Sequence, residues 1–356
     1  MTQLSAPPTP PSSLTPTNPA EEPDRRNHAG LDIALSPDRG TAAAMLMTAR
    51  PAQWIKNLLV IAAPAAAGVL LQPGSFLQAA AATVAFILAA SATYFLNDAR
   101  DLEADRNHPI KRTRPIAAGQ LRARTGYQAA VILAILALGL AAALGWAAFV
   151  ALFTYLVLTT SYSLKLKNLP VVDILAVATG FVLRAATGAF ATGVPLTSWF
   201  LLVVFFGALF VVTTKRQAEL AAQSSIGPTA GEQVLRPSPT APHQPDPVPT
   251  EPAASRVTLT LYTMSWLVQT MTLALTGTVL TYSLWAVQFP AVPLASDVVQ
   301  LSILPFIASL LRYGYLASRG AGQAPESLLL HDRFLIVASL TWTSLVTAGI
   351  YLPLAA

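Results

Sequence analysis

Long apolar runs separated by short clusters of charge dominate the chain from about residue 45 onward. Nearly uncharged stretches lie at 57–71, 76–96, 127–144, 147–162, 171–191, 199–214, 261–287, 298–317 and 334–352. Each approaches the roughly 20 residues that an α-helix needs to cross a bilayer. The pattern predicts an all-α, polytopic membrane protein with about nine transmembrane helices. Pro64 predicts a kink in the first span. A short interfacial helix at 45–54 leads into it, with Trp54 as an aromatic anchor and Arg50 and Lys56 as flanking cations.

Two segments break the pattern. Residues 1–44 are rich in Pro, Ser, Thr and Ala and read as a disordered tail; a signal peptide's basic start and apolar core are missing. Residues 221–255 are dense in Pro, Ser, Thr and Gln and read as a flexible insertion. The bundle is thus divided into 45–220, carrying spans one to six, and 256–356, carrying spans seven to nine.

Composition supports the membrane reading. The chain is 54% hydrophobic and 11% charged, against about 25% charged in ordinary soluble domains. Without any cysteine, disulfides, thiol catalysis and thiolate-bound metals are excluded. Four scattered histidines have no zinc-like spacing. The net charge of +5 does not indicate nucleic acid, because the basic residues sit in connections between spans. Those after spans two, four, six and eight hold residues 100–124, Lys165, Lys167, Lys215, Arg216, Arg319 and Arg333. The alternate connections are nearly uncharged, Asp297 excepted. The positive-inside rule then places the N-terminus and every candidate catalytic residue in the cytoplasm, and the C-terminus outside. One polar cavity facing the cytoplasm follows.

The second span ends in Asn97-Asp98-Ala99-Arg100-Asp101-Leu102-Glu103-Ala104-Asp105. If the helix continues, Asp98, Asp101 and Asp105 fall within about 60° of one another, and Asn97 joins that face. Glu103 points about 140° away from Asp98. Three carboxylates and an amide suit a hard cation such as Mg²⁺ that also binds phosphate oxygens; the alternative is a solvated acidic helix end. Lys111, Arg112 and Arg114 follow within a few residues, a density of charge that suits a diphosphate. Further cations close later spans: Lys167 after Tyr162, and Lys215 with Arg216. Each is also read as a topological flank. Arg184 lies well inside the fifth span, where a charge calls for a function and for a partner, either Asp173 or a ligand phosphate.

Together these residues resemble the UbiA superfamily of intramembrane prenyltransferases, through Asn97-Asp98-x-x-Asp101-x-x-x-Asp105 at the end of the second span. Other segments are similar to a branch that handles phosphoribose: Arg50-Pro51-x-Gln53-Trp54-x-Lys56-Asn57, the run from His108 to Gly119, Arg184-Ala185, Lys215-Arg216-x-Ala218-Glu219, and Asp332-Arg333. The likeness runs from about Arg50 to the C-terminus without the insertion. It implies a UbiA-like bundle in the bacterial inner membrane and Mg²⁺ on Asn97, Asp98, Asp101 and Asp105, the three aspartates being catalytic. It also implies substrate contacts from Lys56, Lys111, Arg112, Arg114, Tyr162, Lys167, Arg184, Lys215 and Arg216. The implied reaction moves 5-phosphoribose from phosphoribosyl diphosphate (PRPP) to a polyprenyl, decaprenyl-type phosphate for cell-envelope arabinose precursors, and a homo-oligomer is compatible with it. Prenyltransferases acting on aromatic acceptors carry a second aspartate-rich motif after span six. Here Lys215, Arg216 and Glu219 occupy that place, which weighs against a prenyl diphosphate donor. A transporter would want charges on both sides of the midplane, and these cluster at one face.

Overall fold

A computed structural model describes residues 40–226, 257–289, 293–318 and 331–355. All regular structure among them is helical. In chain order the helices are α1 (Thr41–Ala49), a 3₁₀ stretch (Pro51–Ile61), α2 (Ala62–Ala66), α3 (Pro73–Arg100), α4 (Leu102–Arg106), α5 (Ala123–Leu144) and α6 (Trp146–Leu164). There follow α7 (Val172–Ala191), α8 (Ser198–Ile226), α9 (Met264–Val287), α10 (Pro293–Leu301), α11 (Ile303–Ser318) and α12 (Arg333–Ala355).

Helix ends follow local chemistry. Proline opens the 3₁₀ stretch and α3, where its missing N–H costs nothing. The Thr263 hydroxyl accepts from the Trp266 amide at the start of α9, and Asp332 Oδ1 accepts from the Leu335 amide at 2.8 Å at the start of α12. Between α5 and α6 the chain reverses at Gly145 alone, whose φ of 127° is open to glycine and to few other residues.

Eight helices among the described residues are long and apolar enough to cross a membrane, α10 and α11 counting as one. The expected first span is the exception. In place of one long α-helix it forms the 3₁₀ stretch and the short α2. A 3₁₀ helix rises about 2.0 Å per residue, so this tighter winding still gives a reach near the roughly 30 Å hydrocarbon thickness. Helix is described within the last residues of the expected tail and the first residues of the expected insertion. Helix α1 begins at Thr41 among alanines that favour helix, and α8 runs on to Ile226. The remainder of both segments lies outside the described residues.

Small residues let the helices approach. On α3, Ala82, Ala85, Phe86 and Ala89 are fully buried against Val60, Ala137, Ala141 and Leu152. A second cluster gathers Ile174, Ala178, Phe210, Leu267, Tyr313 and Leu335. Helix α7 feeds both clusters and is the most buried of the spans. Where α7 meets the 3₁₀ stretch, a Cβ on Gly188 would stand 1.7 Å from the Val60 carbonyl oxygen, so only glycine fits. Outward positions such as Ile132, Ile135, Leu136, Val337 and Leu340 are exposed and apolar, as a lipid-facing surface requires.

Candidate active site

The acidic stretch at the end of α3 stays helical in effect. Asp101 caps α3, yet its amide still donates to the Asn97 carbonyl (2.9 Å) and the Asp105 amide to the Asp101 carbonyl (2.8 Å). Positions seven apart drift by only about 20°, so Asp98 and Asp105 share a face. Both are buried, and one Arg114 nitrogen donates to both, at 3.1 Å to Asp98 and 2.6 Å to Asp105. Arg114 is brought back to the helix because the following loop is anchored by buried Ile116 and Leu121, which pack with Phe95 and Ala99 of α3.

Arg50 completes this group. Its Nη2 donates to Asp98 Oδ1 at 2.6 Å, and its guanidinium lies 4.7 Å from the centre of the Tyr94 ring. Arg50 ends α1 at φ 56°, a left-handed conformation that is costly for a side chain larger than glycine, and the next residue is Pro51. Strain of this kind persists where surrounding contacts fix it, and here the contact is with Asp98.

Beside the acidic group, a cavity of about 230 Å³ lies between the 3₁₀ stretch, α3, α6 and α7. Lys56, Tyr94, Asn97, Tyr155, Tyr162 and Arg184 line it together with shorter hydroxyl side chains. Arg184 is the innermost charge, held by three donors: Nε to Asn57 Oδ1 (3.1 Å), Nη1 to the Gly180 carbonyl (3.2 Å) and Nη2 to the Tyr155 hydroxyl (2.8 Å). The rings of Tyr155 and Phe181 lie 4.8 and 5.0 Å from its guanidinium carbon. Asp173 is not its partner. Eleven residues of α-helix separate the two by about 16 Å, and Asp173 is used elsewhere.

Asp173 lies fully buried at the start of α7. It accepts from Arg216 Nε at 3.3 Å and from the Tyr262 hydroxyl. The Tyr262 oxygen in turn accepts from the amide of Val171 at 2.7 Å, a β-branched residue held at φ 68°. Burial, together with the hydrogen bond to Asp173, pushes the Tyr262 phenol well above the ordinary tyrosine value. Arg216 also donates to Glu219 (2.9 Å) and to the Tyr162 hydroxyl (3.3 Å). Its guanidinium is thus tied within the protein, and it bears on the cavity through Tyr162.

The expected residues therefore divide. Asn97, Lys56, Tyr162 and Arg184 line the cavity. Asp98, Asp105 and Arg114 form the paired group, while Asp101, offset by about 60° on the helix, is half-exposed with Lys167 Nζ 4.0 Å away. Lys111 and Arg112 sit in a 3₁₀ turn that does not bring them onto the carboxylates, and Arg112 is exposed. Lys215 is half-exposed next to Arg216. Sequence reasoning missed Asn57, Tyr155, Tyr262 and the role of Arg50; the Arg50-Pro51 pair at a membrane entry was the available signal. Among the described residues no three His, Cys, Asp or Glu side chains are close enough to share a metal ion. Asp98 and Asp105 do flank a single cationic position, filled by a guanidinium group, and their oxygen donors are of the type that a hard cation takes.

The UbiA prenyltransferase family matches residues 58–219 of this chain. A decaprenyl-phosphate phosphoribosyltransferase of Corynebacterium glutamicum is 37% identical over 323 residues, covering 89% of each chain. A protein of the same name from Mycobacterium tuberculosis is 36% identical over 323 residues, covering 90% of this chain and 98% of its own. Among solved structures, a UbiA homologue from Archaeoglobus fulgidus bound to GPP and Mg²⁺ aligns with a TM-score of 0.60 at 19% identity, over 86% of this chain and 98% of that one. A near-complete relative well above 30% identity and a shared helical fold lead to one conclusion: the chain is a transferase that belongs to the UbiA prenyltransferase family.

Proposed function

We propose that this protein transfers the 5-phosphoribosyl group of PRPP to a polyprenyl phosphate of the decaprenyl class and releases diphosphate. The observation that carries the reading is the cavity, which gathers two cations, Lys56 and Arg184, and a hydroxyl-rich wall with Asn97, the neighbour in sequence of Asp98 in the Asp98–Arg114–Asp105 group. The names of the corynebacterial and mycobacterial relatives point the same way.

In the reaction, an oxygen of the lipid phosphate bonds to C1 of the ribose. The bond from C1 to the diphosphate oxygen breaks, and its electron pair leaves with the diphosphate. The acceptor is already an anion, so no side chain has to remove a proton. A bound Mg²⁺, for which the Asp98 and Asp105 carboxylates are the candidate holders, would supply charge neutralisation for the leaving group. Arg50 and Arg114 carry guanidinium forks suited to the same oxygens, with Lys111 and Arg112 as nearby helpers. Lys56 and Arg184 hold the donor's remaining phosphate. Lys167 and Lys215 remain for the lipid phosphate, while Arg216 positions Tyr162. The basic residues of the connections support a reading in which this chemistry runs on the cytoplasmic face of a bacterial inner membrane, with the product serving as an arabinose precursor for the cell envelope.

The test is to incubate detergent-purified protein with Mg²⁺, radiolabelled PRPP and a polyprenyl phosphate, in parallel with labelled prenyl diphosphate and 4-hydroxybenzoate. Label should enter the lipid phase in the first tube and disappear with EDTA. Labelled aromatic product in the second tube would identify an ordinary prenyltransferase and overturn the proposal.

A further inference from the structure

Three short side chains on the cavity wall share one property. Thr93 on α3 and Thr159 and Ser163 on α6 all line the cavity, and each spends its hydroxyl proton on its own helix. Thr93 Oγ1 donates to the Ala90 carbonyl at 2.7 Å. Thr159 Oγ1 donates to the Tyr155 carbonyl at 2.8 Å, and Ser163 Oγ to the Thr159 carbonyl at 2.9 Å. A hydroxyl group has one proton to give and two lone pairs to receive. With the proton committed to the backbone, these three side chains have only acceptor capacity left to offer a ligand.

The consequence for a ligand is asymmetric. Ionised phosphate oxygens carry no proton and gain nothing from such acceptors; they belong with Lys56 and Arg184. A prenyl chain has no donor either, and would cover these oxygens without pairing them, which is costly. A pentose brings O–H donors at C2 and C3. We infer that Thr93, Thr159 and Ser163 are the sugar-reading groups of the cavity, accepting from the ribose hydroxyls while Arg184 and Lys56 take the 5-phosphate. The inference rests on the phosphoribosyl reading above and adds to it which residues set the preference for a phosphorylated pentose.

The experiment uses full-length protein in detergent, with ribose 5-phosphate and its 2-deoxy and 3-deoxy analogues as competitors of PRPP, and direct binding of each measured by calorimetry. Wild type should bind ribose 5-phosphate about tenfold more tightly than at least one deoxy analogue, the discrimination expected of a site built to pair a hydroxyl. Thr159→Val, Thr93→Val and Ser163→Ala each remove an oxygen at nearly constant volume. At least one should bring that ratio to about one while its affinity for the deoxy sugar holds. Equal wild-type affinity for all three sugars would overturn the inference even if a variant proves unstable. So would discrimination that survives in all three variants when they are folded. If PRPP is turned over while the sugars bind alike, the inference alone falls; if prenyl diphosphate is the donor consumed, the phosphoribosyl reading falls with it.

Discussion

Arg216 donates to Asp173 at 3.3 Å where the two side chains retain 4% and 0% of their exposure. The pair joins α8 to the start of α7, and through Tyr162 it touches the cavity wall. Asp173→Ala would leave the buried guanidinium group with Glu219 as its remaining carboxylate and take away the acceptor of the Tyr262 hydroxyl. Loss of one member of such a pair costs about 3–5 kcal/mol. The expected outcome is a marked fall in melting temperature in detergent, read by fluorescence-detected size exclusion, with Tyr162→Phe far milder.

The Tyr262 phenol, pushed above its ordinary value, gives a pH dependence of known sign. The folded protein holds this proton more tightly than the unfolded chain does. Its contribution is therefore complete below the ordinary tyrosine value near 10 and declines as pH rises above it. Thermal melts across alkaline pH should show a loss of stability that is reduced in Tyr262→Phe.

The two carboxylates that share Arg114 should matter more than their neighbour. Asp98→Asn and Asp105→Asn are expected to lower kcat/KM by about a hundredfold or more, and Asp101→Asn by less. Glu103→Gln, at an exposed position, should leave the rate unchanged. Activity removed by EDTA should return with Mg²⁺. Equal losses at Asp98 and Glu103 would contradict the assignment.

Gly188→Ala places a methyl group within 1.7 Å of the Val60 carbonyl oxygen, and backbone cannot move aside as a side chain can. Overpacking of this kind costs about 1–3 kcal/mol or more. Because the displaced stretch carries Lys56 and Asn57, KM for the donor should rise even in the fraction that folds. Gly139→Ala, where a Cβ meets nothing within 4 Å, is the control.

Arg184→Lys keeps the charge and loses the fork that holds Asn57 and Tyr155. An increase in donor KM of about tenfold is expected, with a smaller change in kcat. A variant indistinguishable from wild type would show that Arg184 supports packing alone.

Most of the fold could be read from the chain because the bilayer imposes a coarse rule, and runs of apolar residues obey it. The first span was legible as an apolar run at 57–71, but its winding as a 3₁₀ stretch from Pro51 was not. The Asn97–Asp105 motif was legible through helical phase, but its division was not. The same phase that puts Asp98 on one face with Asp105 turns Asp101 towards Lys167, and the choice of Arg50 and Arg114 as partners depends on loops whose return path no periodicity encodes. Arg184 announced itself as a charge in an apolar span. Its partners Asn57 and Tyr155 come from two other elements and carry no such signal, and of the two partners expected for it, Asp173 or a ligand phosphate, Asp173 lies three helical turns away and pairs with Arg216.

Asp173 receives Arg216 from before the Pro-rich segment and Tyr262 from after it. The two ends of that excursion are fastened to a single carboxylate, so the bundle registers where the chain leaves and re-enters, and little else about it. Closing a loop costs only about 0.6 kcal/mol more for each doubling of its length. A tether of this kind makes the segment a permissive address: lengthening, shortening or exchanging it leaves the catalytic chamber's walls in place, so long as both moorings survive.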